Sequence, residues 1–518
     1  MTAARAVSTA HTLATEAGRR MYELGGNAVD AALAADAVLT VVYPHNTSLG
    51  GDLIALVSKD GGEPELVTGF GWAPADVDVE SWRNDLPGQE RVPARGPRSI
   101  TVPGTAQGWE YLHSTYASLS WETLLAPAID AARDGFPLAP SVRKAIDRTA
   151  RDGELGVAFV EQFFGDDWAN RTDFANPALA ATYERLAAAG PTDFYTGEVG
   201  GNVLAFLQSV RPEFTAADLT EYQVEVTGSL SRTFAGYTVH TGSAPCQGFS
   251  FLRYLEGLKA ALGPAAEASA LSAETVAEHW VDSFAASDTL RDTILAEGVE
   301  DATLLDLSLP EKDLREAAAP TPSADGDTVG IAASDENLSI SLIQSLYSAF
   351  GSYCFDPVSG IVFQNRGAMF SLDPESPQVV SGRRRPPHTL MPVIVTGADG
   401  RVALVQSTMG GKGQAQIHAR LFAHLVHGGT PAEAVALPRW VSGVRNPGDT
   451  PLSLSVEADV EDSVQQVLAA ATPEEVTVVE PLTDFMGHAN VIDRRPEATG
   501  GQVLAASDPR ADGSAWVG

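Results

Sequence analysis

The chain has 518 residues, 44% of them hydrophobic, a formal charge of −33 and two cysteines, Cys246 and Cys354. That length supports a large core and more than one domain, while the acidity speaks against binding to a phosphate backbone or an anionic membrane, both of which need Lys and Arg clusters. Two cysteines make neither a disulfide framework nor a clustered metal site, residues 1–7 lack an apolar signal-peptide core, and the longest apolar run, near 38–43, is too short to span a bilayer, so a cytoplasmic protein is expected.

Residues 11–24 predict a helix stopped by Gly25-Gly26, and an Ala-rich second helix runs from about Asn27, its N-cap, to Val42. A loop over 44–52 with two glycines leads to strands at 53–58 and 65–68, paired around Lys59-Asp60-Gly61-Gly62. His45 in that loop reads as a structural, hydrogen-bonding residue. Residues 71–104, rich in Pro, Gly and charge, read as loops and short strands. Helices follow at about 105–116 and 121–134, the second ended by Gly135 and Pro137, and helices alternate with loops to about 225. Alternation over 233–242 predicts a strand. Cys246 lies in the turn opening a helix near 249–262. With no partner histidine evident it reads as small buried filler rather than a nucleophile.

From 309 to 327 the composition changes to that of a linker, with Pro310, Pro320 and Pro322 among Glu, Asp, Ala and Ser. It ends at Thr328, after which 328–334 and 338–345 predict two strands around an Asp335-Glu336-Asn337 turn. A Thr at such a junction is either an ordinary strand start or a hidden N-terminus. Cutting the 327–328 bond would give Thr328 a free α-amine beside its hydroxyl. With a pKa of roughly 7.7–8.0 the amine is partly neutral and can act as general base for that hydroxyl. Further on, a strand at 401–408 runs into Met409-Gly410-Gly411-Lys412-Gly413 and a helix at 414–428 with Ile417, Leu421, Leu425 and Val426 on one face. A Gly-rich loop there offers backbone N–H groups either to a phosphate or to an oxyanion. The P-loop and dinucleotide spacings are missing, and beside Thr328 an oxyanion hole made by Gly410 and Gly411 is the preferred reading.

These residues resemble the γ-glutamyltransferase family of N-terminal-nucleophile (Ntn) hydrolases over almost the whole chain. The resemblance is carried by Gly25-Gly26-Asn27-Ala28-Val29-Asp30, Pro44-His45 with Gly50-Gly51-Asp52, Val102-Pro103-Gly104-Thr105 and Ala132-Arg133-Asp134-Gly135-Phe136. It continues through Leu342-Ile343-Gln344-Ser345-Leu346, Phe350-Gly351-Ser352, Arg385-Pro386, Gly410-Gly411 and Ser507-Asp508-Pro509-Arg510. It implies an α+β fold, a four-layer αββα sandwich made as one precursor. It further implies autocatalytic cleavage between Asp327 and Thr328 into a large subunit, 1–327, and a small one, 328–518, that stay together as a heterodimer. Thr328 would be the nucleophile, Gly410 and Gly411 the oxyanion hole, and Ser345 a hydroxyl near the new amine. No metal or cofactor is implied, and the expected partner is a small-molecule substrate.

The sequence departs from the branch of the family that processes glutathione. An Arg expected after Ala73-Pro74 is replaced, with Val79 at the matching place; an Asn is Tyr347, an Asp is Met369, a Ser-Ser pair is His388-Thr389, and the residues after the nucleophile are Val329-Gly330. Losing both ionic partners of a glutamyl zwitterion forfeits charge-assisted hydrogen bonds of roughly 1.5–3 kcal/mol each, so glutathione is expected to be a poor substrate. Arg366 falls at a pocket position and can bind a carboxylate bidentately, or serve a structural ion pair. His388 can donate to a carboxylate or carbonyl, Tyr347 and Met369 make the pocket more apolar, and Arg383-Arg384-Arg385 add charge or form a solvated surface. The leading expectation is hydrolysis or acyl transfer on an amide of an acid-bearing acyl group, close to the cephalosporin-acylase branch. One alternative is a C–C bond hydrolase releasing a small dicarboxylate in the biosynthesis of an alkylproline-type natural product. Another is an unprocessed, non-catalytic homologue.

Overall fold

The computed structural model describes residues 5–264, 266, 271–308, 327–445 and 448–518. The linker expected over 309–327 therefore lies outside the described residues except for Asp327. Two antiparallel sheets lie face to face. The first runs edge to edge through Ser514–Val517, Ala6–Thr9, Asp327–Ser334, Leu338–Tyr347, Asp52–Lys59, Glu65–Gly69 and Glu225–Gly228. The second runs through Leu504–Ser507, His488–Asp493, Val402–Met409, Val393–Thr396, Tyr237–Thr241 and Leu230–Phe234. Ile54, Leu56, Ala332 and Ile343 of the first sheet meet Ile394, Val405 and Ile492 of the second between them. Helices Thr12–Glu23, Ala28–Val42, Thr105–Tyr116 and Trp121–Asp134 cover the outer face of the first sheet, and Gly248–Leu262, Trp280–Thr293 and Gln414–Leu425 cover the second. The result is the expected αββα sandwich.

Side chains alternate across a strand, and that alternation places the site. In Asp327–Ser334, Val329, Ile331 and Ala333 pack on the helices, whereas Ala332 faces the other sheet. Thr328 therefore shares the inter-sheet face. The same parity puts Ser345, in phase with Ile343, and Asp52, in phase with Ile54, on that face. The register sets Thr328 opposite Ser345 and Ser345 opposite Asp52, so the three stand abreast on neighbouring strands.

The Ala28–Val42 helix is buried on every side, consistent with its Ala-rich, apolar sequence. It begins with a capping box, Asn27 and Asp30 each taking the other's backbone N–H. Its Ala28 N–H also donates to Asp335 Oδ2 at 2.6 Å, while Asp335 Oδ1 accepts from Asn337 and Leu338 in the turn between the two central strands. The helix start thus fixes the hairpin that carries Thr328.

Three expectations are corrected. The alternation over 233–242 belongs to two strands, Leu230–Phe234 and Tyr237–Thr241, reversed at Ala235 and Gly236, both at positive φ. Within 71–104, Val79–Asp85 is a helix, capped by Asp78 accepting from Glu80 N–H and anchored by buried Trp82. The helix after the Gly-rich loop ends at Leu425, so Val426 is its C-cap residue. At the edge of the first sheet Arg5 and Gly518 exchange two backbone hydrogen bonds of 2.9 Å.

Candidate active site

The Ser345 hydroxyl is the hub of the site. Thr328 Oγ1 donates to Ser345 Oγ at 3.0 Å, and Ser345 Oγ donates to the Asp327 carbonyl oxygen at 2.9 Å. It also accepts from the Tyr347 N–H at 2.8 Å and from Arg366 Nη2 at 3.4 Å. A bulge between Ser345 and Tyr347, with Tyr347 at φ 78°, turns that N–H back onto the hydroxyl. Thr328 is 1% exposed, and Asn46 Nδ2 donates to its carbonyl oxygen at 3.0 Å.

The residues singled out as a pocket come together around this hub. Arg366, wholly buried, donates through Nη1 to Thr389 Oγ1 at 3.0 Å and lies 4.3 Å over the Tyr347 ring. The Tyr347 hydroxyl donates to Met369 Sδ at 2.9 Å. His388 lies flat on Phe70 with ring centroids 3.4 Å apart. Burial drives His388 well below the ordinary histidine range, helped by Arg366 and Arg385, so its imidazole is neutral. Burial likewise lowers Arg366, against the opposing pull of Asp52, and raises Tyr347.

The Gly-rich loop follows Val402–Met409, the strand of the second sheet that crosses the Thr328 strand at Gly330. A Cβ on Gly330 would stand 2.6 Å from Ser407 C and 2.8 Å from Thr408 N, which accounts for a glycine there. Gly411 has φ 52°, a backbone that favours glycine. The carbonyls of this turn are tied down: Gly410 accepts from Arg445 Nη1 at 2.9 Å and from Gly413 N–H at 2.8 Å, and Gly411 from Gln247 Nε2 at 2.8 Å. Lys412 is buried and paired with Asp292 at 3.2 Å, and burial lowers its ammonium to about 8.

Four further residues singled out in the sequence lie outside the hydrogen-bonded cluster around Ser345. Arg385 is a buried tie to Glu297 at 2.8 Å and Glu225 at 2.7 Å, and Arg383 pairs with Glu221 at 2.5 Å, so these two arginines are spent on structural ion pairs. Cys246 is buried, and burial pushes its thiol far above the ordinary range, leaving an inert filler. His45 packs against Tyr43 at 4.3 Å, its carbonyl accepts from Phe350 N–H at 2.8 Å, and it lines a cavity of about 170 Å³ that also borders Asp327 and Met409.

Sequence reasoning gave no role to Asp52, Asn46, Gln247 or the Asp292–Lys412 pair. Asp52 is wholly buried beside Arg366 and His388, each 3.9 Å from its Oδ2, and burial pushes it up to about 7. Its signal was present in Gly50-Gly51-Asp52: a carboxylate at the buried start of a strand that pairs with Ser345. Among the described residues, no group of three or more His, Cys, Asp or Glu side chains is arranged to hold a metal.

The profile of the gamma-glutamyltranspeptidase family matches residues 14–518. The chain belongs to this family. It is 33% identical to an oxamate amidohydrolase proenzyme of Klebsiella pneumoniae subsp. pneumoniae, over 98% of this chain and 97% of that one. It is 31% identical to a glutathione hydrolase-like YwrD proenzyme of Bacillus subtilis, over the same two fractions. Among solved structures, a cephalosporin acylase from Bacillus halodurans superposes with a TM-score of 0.85 at 26% identity, covering 99% of this chain and 95% of that one. This gamma-glutamyltranspeptidase-family chain thus has an amidohydrolase and an acylase among its relatives, alongside glutathione hydrolases.

Proposed function

We propose that the chain cuts itself between Asp327 and Thr328, and that the freed Thr328 hydrolyses a small amide whose acyl half carries a carboxylate. The observation that carries this reading is the Ser345 oxygen, which contacts the Thr328 hydroxyl, the Asp327 carbonyl and the Arg366 guanidinium together. In maturation, Thr328 Oγ attacks the Asp327 carbonyl carbon while Ser345 donates to the carbonyl oxygen. The peptide nitrogen leaves as the Thr328 amine, and water hydrolyses the resulting ester. Large and small subunits, 1–327 and 328–518, result. In catalysis the new amine takes the hydroxyl proton, Oγ attacks the substrate carbonyl, and Gly410 and Gly411 N–H groups hold the oxyanion. The leaving amine departs with a proton, and water releases the acid.

Arg366, with Thr389 and His388 beside it, receives the carboxylate of the acyl half, while Tyr347 and Met369 present no charge to a glutamyl α-ammonium. Because Arg366 and Thr328 touch the same hydroxyl, few atoms fit between the acid and the attacked carbonyl. The acyl half is therefore short, and the substrate named for the oxamate-hydrolysing relative has this character. A chain-length series tests it, from oxamate through malonamate and succinamate to glutaramate. We expect kcat/KM to fall as the chain lengthens, and Thr328→Ala to remain uncut and inactive. Robust turnover of a γ-glutamyl anilide, or full activity in an uncut chain, overturns the reading.

A further inference from the structure

Three wholly buried side chains, Asp52, Arg366 and His388, stand together with polar atoms left unpaired. Asp52 Oδ2, Arg366 Nε and both ring nitrogens of His388 have no hydrogen-bond partner among the described residues, and each side chain is 0% exposed. Asp52 Oδ2 is 3.9 Å from Arg366 Nε and 3.9 Å from His388 Nε2. Those gaps are too long for direct hydrogen bonds, yet each is short enough for one ligand oxygen to bridge. The arrangement is held on every side: Asp52 Oδ1 accepts from Gly71 N–H at 2.9 Å, Phe70 fixes the His388 ring, and Thr389 takes Arg366 Nη1. Leaving buried polar groups unpaired is costly, so a ligand oxygen bridging them offsets its own desolvation.

We propose that Asp52 is a specificity-determining partner of the substrate's carboxylate, whose oxygen lodges between Arg366, His388 and Asp52 while Asp52 holds the proton that lets two carboxyl groups share the spot. This rests on the reading that Arg366 receives the acid of the acyl half. Two carboxylates in contact cannot both stay ionised. Binding to an ionised Asp52 therefore takes up one proton from solvent, and no covalent bond changes. The proton forms the Asp52 hydroxyl, which donates to the ligand oxygen, while Arg366 Nε–H and the neutral His388 donate to it as well.

The groups facing Asp52 come from every neighbouring element. Burial pushes Asp52 up to about 7, opposed by Arg366, the Gly71 N–H and Arg385. His388 is neutral, and Tyr195 and Tyr222 are raised by burial, so all three keep their protonation state through the working range. The amine that cleavage would create on Thr328 lies two strands away by register. Apart from that amine, Asp52 alone of these changes charge near neutrality.

The test measures oxalate binding to the processed protein by calorimetry, in buffers of differing ionisation enthalpy, from about pH 6 to about pH 8.5. We expect the affinity to fall by about tenfold per pH unit above neutrality, with about one proton taken up per oxalate near pH 8. Asp52→Asn should show no uptake and a flat affinity. A flat wild-type affinity overturns the inference without any variant, and so does undiminished proton uptake in Asp52→Asn. Arg366→Gln separates the two levels. If it binds oxalate as tightly as the parent, the underlying carboxylate reading falls. If it weakens binding while Asp52→Asn keeps the uptake, only the role of Asp52 falls.

Discussion

The Ser345 hydroxyl touches both the Thr328 hydroxyl and the Asp327 carbonyl oxygen, which it would polarise in self-cleavage. Removing one preorganised donor to a developing oxyanion costs about 10²–10³-fold in rate. Ser345→Ala should slow self-cleavage by that factor and Ser345→Thr should restore most of it, read as the disappearance of full-length chain on denaturing gels. Cleavage of Ser345→Ala at the parental rate would remove Ser345 from maturation. Ser345 could be named before the fold was known because the family resemblance places a hydroxyl at that position. Asp52 carries an equally visible motif, but its meaning depends on which strand lies next to Ser345, and alternation within one strand does not report pairing across strands. Gln247 and Asp292 reach the Gly-rich loop only through the tertiary fold, so no local pattern marks them.

Among the elements, the Ala28–Val42 helix carries a hidden cost. Asp36 is wholly buried in it, takes one hydrogen bond from Trp109 Nε1 at 2.7 Å, and is pushed by burial from 3.8 to about 7. A carboxyl raised in the folded state gives stability that is complete below its unfolded pKa and is lost as pH climbs through the folded one. Between about pH 4 and about pH 7 the parent should therefore lose stability that Asp36→Asn does not, up to about 4 kcal/mol. Urea midpoints at pH 5 and pH 8 measure it; parallel shifts in the two proteins would show Asp36 to be uncoupled. The helix itself was plain from its caps and composition. The Tyr237–Thr241 hairpin was misread because two strands joined by a two-residue turn keep nearly continuous alternation. The Val79–Asp85 helix was hidden by its short, polar, charge-rich sequence.

At the scale of the molecule, the two segments flanking the 327–328 bond interleave. The first sheet takes Asp327–Ser334, Leu338–Tyr347 and Ser514–Val517 between and beside strands from the first half of the chain, and the second sheet adds Tyr237–Thr241 and Leu230–Phe234 to strands from the second half. No helix among the described residues is long and apolar enough to cross a membrane. If cleavage occurs, the two pieces should stay together at native pH and separate only in denaturant. Native mass spectrometry should then give one mass and denaturing mass spectrometry two. Dissociation without denaturant would contradict the sheet order. The αββα layering was legible only through the family resemblance, and the strand order was not legible at all, since long-range pairing leaves little trace in local composition.

The backbone bonds between Arg5 and Gly518 have a practical consequence. A short peptide joining Gly518 to Arg5 would allow the gene to be reopened at the 327–328 junction. Translation would then deliver Thr328 as the second codon, its amine bared once the initiator methionine is trimmed. Such a rearranged protein would carry a free Thr328 amine from birth, and any activity it displays would be chemistry divorced from maturation.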